Sequence, residues 1–358
     1  MPRRRRERGL SLIELMVALT IGAVLIFGAT QVYINSRKSY GVNESVARLQ
    51  ETARYAMSVI EPDIRMSNFW GLLKGAAVVA NQARQVIDPI APVAAGAAAN
   101  ICGQNFATDL ATNLQGDNNS YVLSATRAAG CDNLIDVVSG AAWPTAAMAT
   151  ADTLTVRRAS VFTSAPAAGF LQVCSSRIAG RLISDGSACT AAPAGQLDNL
   201  IVNTYYIDRN SAQAPNLPAL RRKVLMSAGG APVFRDQEII PGVEDMQIQF
   251  GIDPAGNTGV ATRYVNPNGV PAGAQIVAVR VWLLVRADVA ETGFTDNRVY
   301  QYGDRLVANG VTGDLTVAAG AGLAYQPSAN ADASFTGPQH VRRLLISRTI
   351  QIRNALGT

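Results

Sequence analysis

RERGLSLIELMVALTIGAVLIF, residues 6–27, decides how the rest of the chain is read. A basic tract gives way to an apolar run, and one glutamate, Glu14, stands near the start of that run. Residues 10–34 make about 37 Å of helix at 1.5 Å per residue, more than the roughly 30 Å hydrocarbon core of a bilayer. Arginines precede the run, so the positive-inside bias puts residues 1–9 in the cytoplasm and the body outside. A cleavable secretory signal is the rival reading. The run is too long for one, and no polar stretch with a small-x-small site follows. A carboxylate inside the membrane costs about 2.5–3.5 kcal/mol on insertion scales, so a partner or a function is expected for Glu14. No Lys or Arg lies within helical reach on its C-terminal side. The partner must come from the chain start or from another molecule. A cut after Gly9 would give Leu10 a new α-ammonium, and Glu14 of one copy would neutralise the terminus of its neighbour. The charge then codes for assembly.

These residues resemble the class III signal of type IV prepilins and type II secretion pseudopilins: a short basic leader, Gly9, then an apolar stretch with glutamate at mature position five. The resemblance implies cleavage by a prepilin peptidase between Gly9 and Leu10, N-methylation of Leu10, and an assembly salt bridge at Glu14. The first mature residue is usually phenylalanine in this family and is leucine here. Major pilins often carry a proline deep in the membrane helix. None lies between Pro2 and Pro62, which points to a minor component. Four further stretches resemble recurring segments of PilW-type minor pilins: EPDIRMSNFWG (61–71), GVEDMQIQFGID (242–253), VAVRVWLLVRAD (277–288) and RRLLISRTIQIRN (342–354).

From Asn35 the pattern becomes amphipathic. Val42, Val46, Leu49, Ala53, Met57, Ile60 and Ile64 fall on one stripe at spacings of three and four. Pro62 disrupts the helix and leaves a short continuation at most. Beyond Trp70 the chain reads as strands at 121–125, 153–160, 200–208, 219–226, 246–253, 276–288 and 341–354. In the last, Leu344, Ile346, Ile350 and Ile352 share a face that Arg348 interrupts. PAGN (254–257) and NPNG (266–269) are turn signals. The expected fold is α+β and pilin-like: a long N-terminal helix, half in the membrane and half amphipathic, packed on a mainly antiparallel β-sheet body with long loops. Its parts are a leader (1–9), a membrane half (10–34), an amphipathic half (35–65) and a periplasmic or extracellular body (66–358) with irregular insertions at about 75–116 and 289–340.

Composition excludes more than it assigns. Five arginines against one glutamate in the first nine residues account for +4 of the net +5, so the body is nearly neutral and shows no nucleic-acid footprint. His340 is the one histidine, which rules out a multi-histidine metal centre and leaves little for a histidine-based triad. Walker A, GxSxG and HExxH patterns are absent. Glu244, Asp245 and Asp288 sit at strand ends and turns, where acids are common, so no catalytic residue is expected. Asp253–Asn257 has a loose oxygen-ligand look but lacks the twelve-residue EF-hand pattern, so a turn is expected and neither metal nor cofactor. Asn43 and Asn118 begin N-x-S sequons. Cys102, Cys131, Cys174 and Cys189 all follow the membrane segment and form no CxxC pair, which in an exported body favours two disulfides. Three pairings are possible. Cys102–Cys131 and Cys174–Cys189 close the smaller loops.

The family resemblance implies a minor pilin in an inner-membrane complex that primes pilus assembly and occupies the tip. Its partners would be other minor pilins, the major pilin and the prepilin peptidase. A J-type pseudopilin of type II secretion shares the leader and architecture, and a tip adhesin binding through its loops is the reading from another class. A membrane-anchored periplasmic enzyme lacks the residues it would need.

Overall fold

The computed structural model describes residues 11–82, 106–119, 151–190, 195–214, 217–256, 258–291, 293–305, 325 and 339–355. They fall into two compact units, Met1–Arg48 and Leu49–Thr358.

Among the described residues the first unit is helical throughout. Helix α1 spans Leu12–Arg65, and its residues up to Arg48 form this unit. From Leu12 to Val32 the large apolar side chains are exposed, Leu12 at 79% and Ile26 at 70%. The helix is apolar and long enough here to cross a membrane. Its hydroxyls turn back on the backbone: Thr20 Oγ1 donates to the carbonyls of Met16 (3.1 Å) and Val17 (2.9 Å), and Thr30 Oγ1 to that of Ile26 (2.8 Å). Backbone and hydroxyls are thus satisfied without water, as an apolar solvent demands. The predicted stripe includes Val42 and Val46, but burial begins only at Leu49; Val46 keeps 36% of its surface.

In the second unit the rest of α1 buries Leu49, Ala53, Ala56, Met57, Ile60 and Ile64, each large one contributing about 1.5–3 kcal/mol by area. The helix passes Pro62 and ends at Arg65. Near a helix end the ring forfeits only one backbone bond, and Met66 N–H still reaches Pro62 O at 3.1 Å. Asn68 then turns left-handed (φ 62°), accepts from Trp70 Nε1 at 2.9 Å and donates to Asn354 O at 2.9 Å.

The body has two sheets. The larger contains β1 (Val79–Ala80), β2 (Leu114–Asp117), β3 (Thr153–Thr163), β4 (Ala168–Ser175), β5 (Gly180–Asp185), β6 (Gln196–Asp208), β7 (Ala219–Ala228) and β8 (Ala231–Pro241). Its axis is the long β6, which pairs with β3 along one edge and with β4, then β7, along the other. Among the described residues only the β1–β5 pair is parallel. The smaller sheet has the order β10 (Arg263–Val265), β9 (Val243–Asp253), β11 (Gln275–Arg286), β12 (Arg343–Gln351), all antiparallel. Gly242 joins β8 to β9 at φ +94°, a backbone state that side chains resist; its N–H reaches Pro218 O and its carbonyl accepts from Arg286. A register shift beside Leu284 and Val285 leaves Glu244 as an extra residue on β9, so Val243 and Met246 both face the core under α1. That core joins α1 to β9, β11 and β12 through Ile248, Phe250, Val279, Val281 and Ile350, and to the large sheet through Leu154 and Tyr205.

The strands expected at 153–160, 200–208, 219–226, 246–253, 276–288 and 341–354 all form; the one expected at 121–125 lies outside the described residues. β4, β5 and β8 were not anticipated. AGFLQVCS and GRLISD are short, and APVFRDQEIIP carries prolines at both ends, so local pattern is weak. The two stretches expected as irregular insertions are described only in part. The first contributes β1 and β2 and buries Phe106, Leu110 and Leu114. In the second, Tyr300, Tyr302 and Tyr325 pack on Leu284 with Trp282 and Leu345, covering the face of the small sheet opposite α1.

Candidate assembly site at the N-terminal helix

Ser11 precedes the first helical residue. Its Oγ accepts the N–H of Glu14 at 3.2 Å, and Glu14 Oε2 accepts the N–H of Ser11 at 3.1 Å. This is a reciprocal capping box, two otherwise open donors satisfied by a Ser-x-x-Glu pair. The expected pairing of the Glu14 charge, with a group from the chain start or from another molecule, is a separate interaction that this box leaves open. The pattern Ser11-Leu-Ile-Glu14 is the local signal for the box. One Glu14 oxygen takes a neutral donor, and the box supplies no positive side chain. Gly9 and Leu10 lie outside the described residues.

In the second unit the carboxylates are held by partners. Asp63, on the last turn of α1, takes Arg158 on Oδ1 (Nη2, 2.6 Å) and both Asn203 Nδ2 and Tyr205 Oη on Oδ2 at 2.5 Å. Burial, and then the Asp63 charge, push the Tyr205 phenol well above its ordinary range. Glu244 pairs with Arg343 (2.6 Å) and Arg286 (3.3 Å). Asp245 pairs with Arg305 at 2.5 Å and accepts from Tyr302 Oη at 2.6 Å. Glu244 thus joins β9 to β11 and β12, and Asp245 ties the small sheet to the tyrosine-rich segment that covers it. Asp253 accepts from the Thr258 hydroxyl and N–H (both 2.7 Å), from Gly259 N–H (2.9 Å) and from Ala255 N–H (3.2 Å). The Thr258 hydroxyl leads in holding its pKa down, to about 2. This carboxylate staples a turn, as the sequence leads one to expect; Asn257 lies outside the described residues. Among the described residues no three His, Cys, Asp or Glu side chains converge for a metal. His340 is exposed, with Nδ1 2.8 Å from Phe294 O.

Cys174 and Cys189 are bonded, joining β4 to the segment after β5. Cys102 and Cys131 lie outside the described residues. Cys174→Ser is expected to lower stability by about 3 kcal/mol, the loop-closure value for a ring of this size. Thermal melts with and without reductant measure it, and coincident curves would show the bond to be thermodynamically idle.

Comparison with known families gives two matches and comparison with solved structures a further one. Residues 204–354 match the family described as Type IV Pilus-assembly protein W, and residues 4–30 match the Prokaryotic N-terminal methylation motif. No curated protein matches the chain. Among solved structures, a type IV-like pilin from Thermus thermophilus is 16% identical over 57% of this chain and 80% of its own length, with a TM-score of 0.27. The match to the methylation motif falls on the chain start and the apolar part of α1. The match to the Type IV Pilus-assembly protein W family takes in the end of β6, β7, β8 and all four strands of the small sheet.

Proposed function

We propose that this chain is a minor pilin, held in the inner membrane by α1 with residues 1–9 cytoplasmic and the body periplasmic. In this reading it joins other minor pilins to prime assembly of a type IV pilus and passes with them to the tip. The role is structural and non-catalytic. The prepilin peptidase cuts between Gly9 and Leu10, Leu10 is N-methylated, and Glu14 neutralises the Leu10 ammonium of an adjacent subunit. The observation that carries the proposal is the joint occurrence in one chain of the methylation motif at 4–30 and the PilW domain at 204–354.

The test is the intact mass of the protein from its native membrane. The expected mature chain starts at Leu10 and is heavier by one methyl group. An uncut chain starting at Met1 in a strain with active peptidase, or a cut near Ala29, would end the reading. Co-purification with pilus subunits is expected; recovery with type II secretion components instead would assign the chain to the J-type pseudopilins.

A further inference from the structure

We propose that the outer edge of β12, with the cleft beside it, is a strand-addition site for an extended segment of another polypeptide whose side chains alternate apolar and acidic. β12 ends its sheet and, among the described residues, pairs only with β11. The register shows which backbone groups face outward. Ile352 N–H donates to Val277 O at 3.0 Å and Ala287 N–H to Arg342 O at 2.8 Å, so the even-numbered residues bond to β11. Antiparallel pairing alternates, which turns the N–H and C=O groups of Leu345, Ser347, Thr349 and Gln351 away from the sheet. The next outward donor, Arg353 N–H, is taken by Arg65 O at 3.1 Å, so the row has a defined end.

Beside this edge lies a cleft of about 710 Å³, floored by Met57 and Met66 on one side and Leu344 and Ile346 on the other. Its charged side chains are Arg54, Arg65, Arg348 and Arg353 against Glu61 alone. Glu61 already pairs with Arg65 and Arg348. An incoming strand would set every second side chain on the apolar floor and bring a carboxylate to Arg348. Main-chain bonds would supply affinity and the alternate side chains selectivity. A second copy of β12 does not fit. Arg343–Gln351 contains two arginines and no acid, so self-pairing would bring like charges together with no carboxylate to offset them.

The test uses the full chain in detergent micelles and a labelled, end-capped peptide of alternating Ile and Glu, with an Ile–Lys peptide as control. Fluorescence anisotropy should show saturable binding of the acidic peptide and at least tenfold weaker binding of the basic one at low salt. Amide exchange should slow at Leu345, Ser347, Thr349 and Gln351. Ser347→Pro removes only an outward N–H, a place an edge strand tolerates proline, and should abolish binding with β12 still paired to β11. Arg348→Glu should reverse the peptide preference, and that reversal decides the matter if Ser347→Pro does not fold. Equal binding of both peptides, no binding of either, or full binding by Ser347→Pro would overturn the proposal. So would protection of the same amides on raising protein concentration without peptide, since the occupant would then be a second copy.

Discussion

Glu14→Ala is expected to leave the amount of membrane-inserted protein unchanged and to reduce assembly by about two to three and a half orders of magnitude. Removing a carboxylate from an apolar span recovers the cost of placing it there, so insertion of a lone subunit gains. In the assembled state the neighbour's Leu10 ammonium would lose its counter-charge in a low-dielectric setting, and breaking such a pair costs about 3–5 kcal/mol, at 1.4 kcal/mol per tenfold. The capping box supplies the control that separates charge from helix chemistry. Ser11→Ala removes the side-chain acceptor for Glu14 N–H and costs the helix start about 0.5–2 kcal/mol, yet it keeps the carboxylate. Ser11→Ala should therefore still support pili, and Glu14→Ala should not. Glu14→Gln should fall between, retaining an acceptor for Ser11 N–H without the charge. Pilus counts and pull-down of partner pilins are the readouts. If Ser11→Ala and Glu14→Ala behave alike, Glu14 is a helix cap and the intermolecular pairing is wrong.

Asp63→Ala is expected to destabilise the body by about 3–5 kcal/mol, with a fall on the order of 10 °C in the melting midpoint. The loss has three parts. Arg158 is left with its charge only 13% exposed, Asn203 loses the acceptor for its amide, and the Tyr205 hydroxyl loses its 2.5 Å acceptor. These three come from β3 and β6, so the carboxylate pins the last turn of α1 to the middle of the large sheet. Asp63→Asn keeps an acceptor and gives up the ion pair, and should lose less. A midpoint unchanged by Asp63→Ala would show that water replaces the carboxylate without cost.

How much of this was legible in the sequence follows from the range of the forces involved. Helix α1 was readable because its signals are local: an uninterrupted apolar run, then residues three and four apart on one stripe. β6, β7, β9, β11 and β12 were readable because alternating or continuous apolar runs fix which face is buried whatever the neighbours do. The edges of those elements were less so. β4 and β8 exist because β6 and β7 offer them hydrogen-bonding edges, β5 because β4 does, and a short strand's stability comes from its neighbours. Nothing local singles out Asp63, because Arg158, Asn203 and Tyr205 lie far along the chain. Arg348 read as a break in an apolar face, and only tertiary structure set it opposite Glu61 on α1. The tyrosines of the late segment gave no periodic signal, since they pack as single residues on a sheet face built elsewhere. The sequence alone determined the methylation motif, the long apolar helix, the capping pair at Ser11 and Glu14 and the strand-rich body, each through contacts between residues close in the chain. Tertiary structure alone decided, among the described residues, that the strands form two sheets, which acids meet which arginines, and that β12 ends its sheet, because each depends on residues brought together from distant parts of the chain.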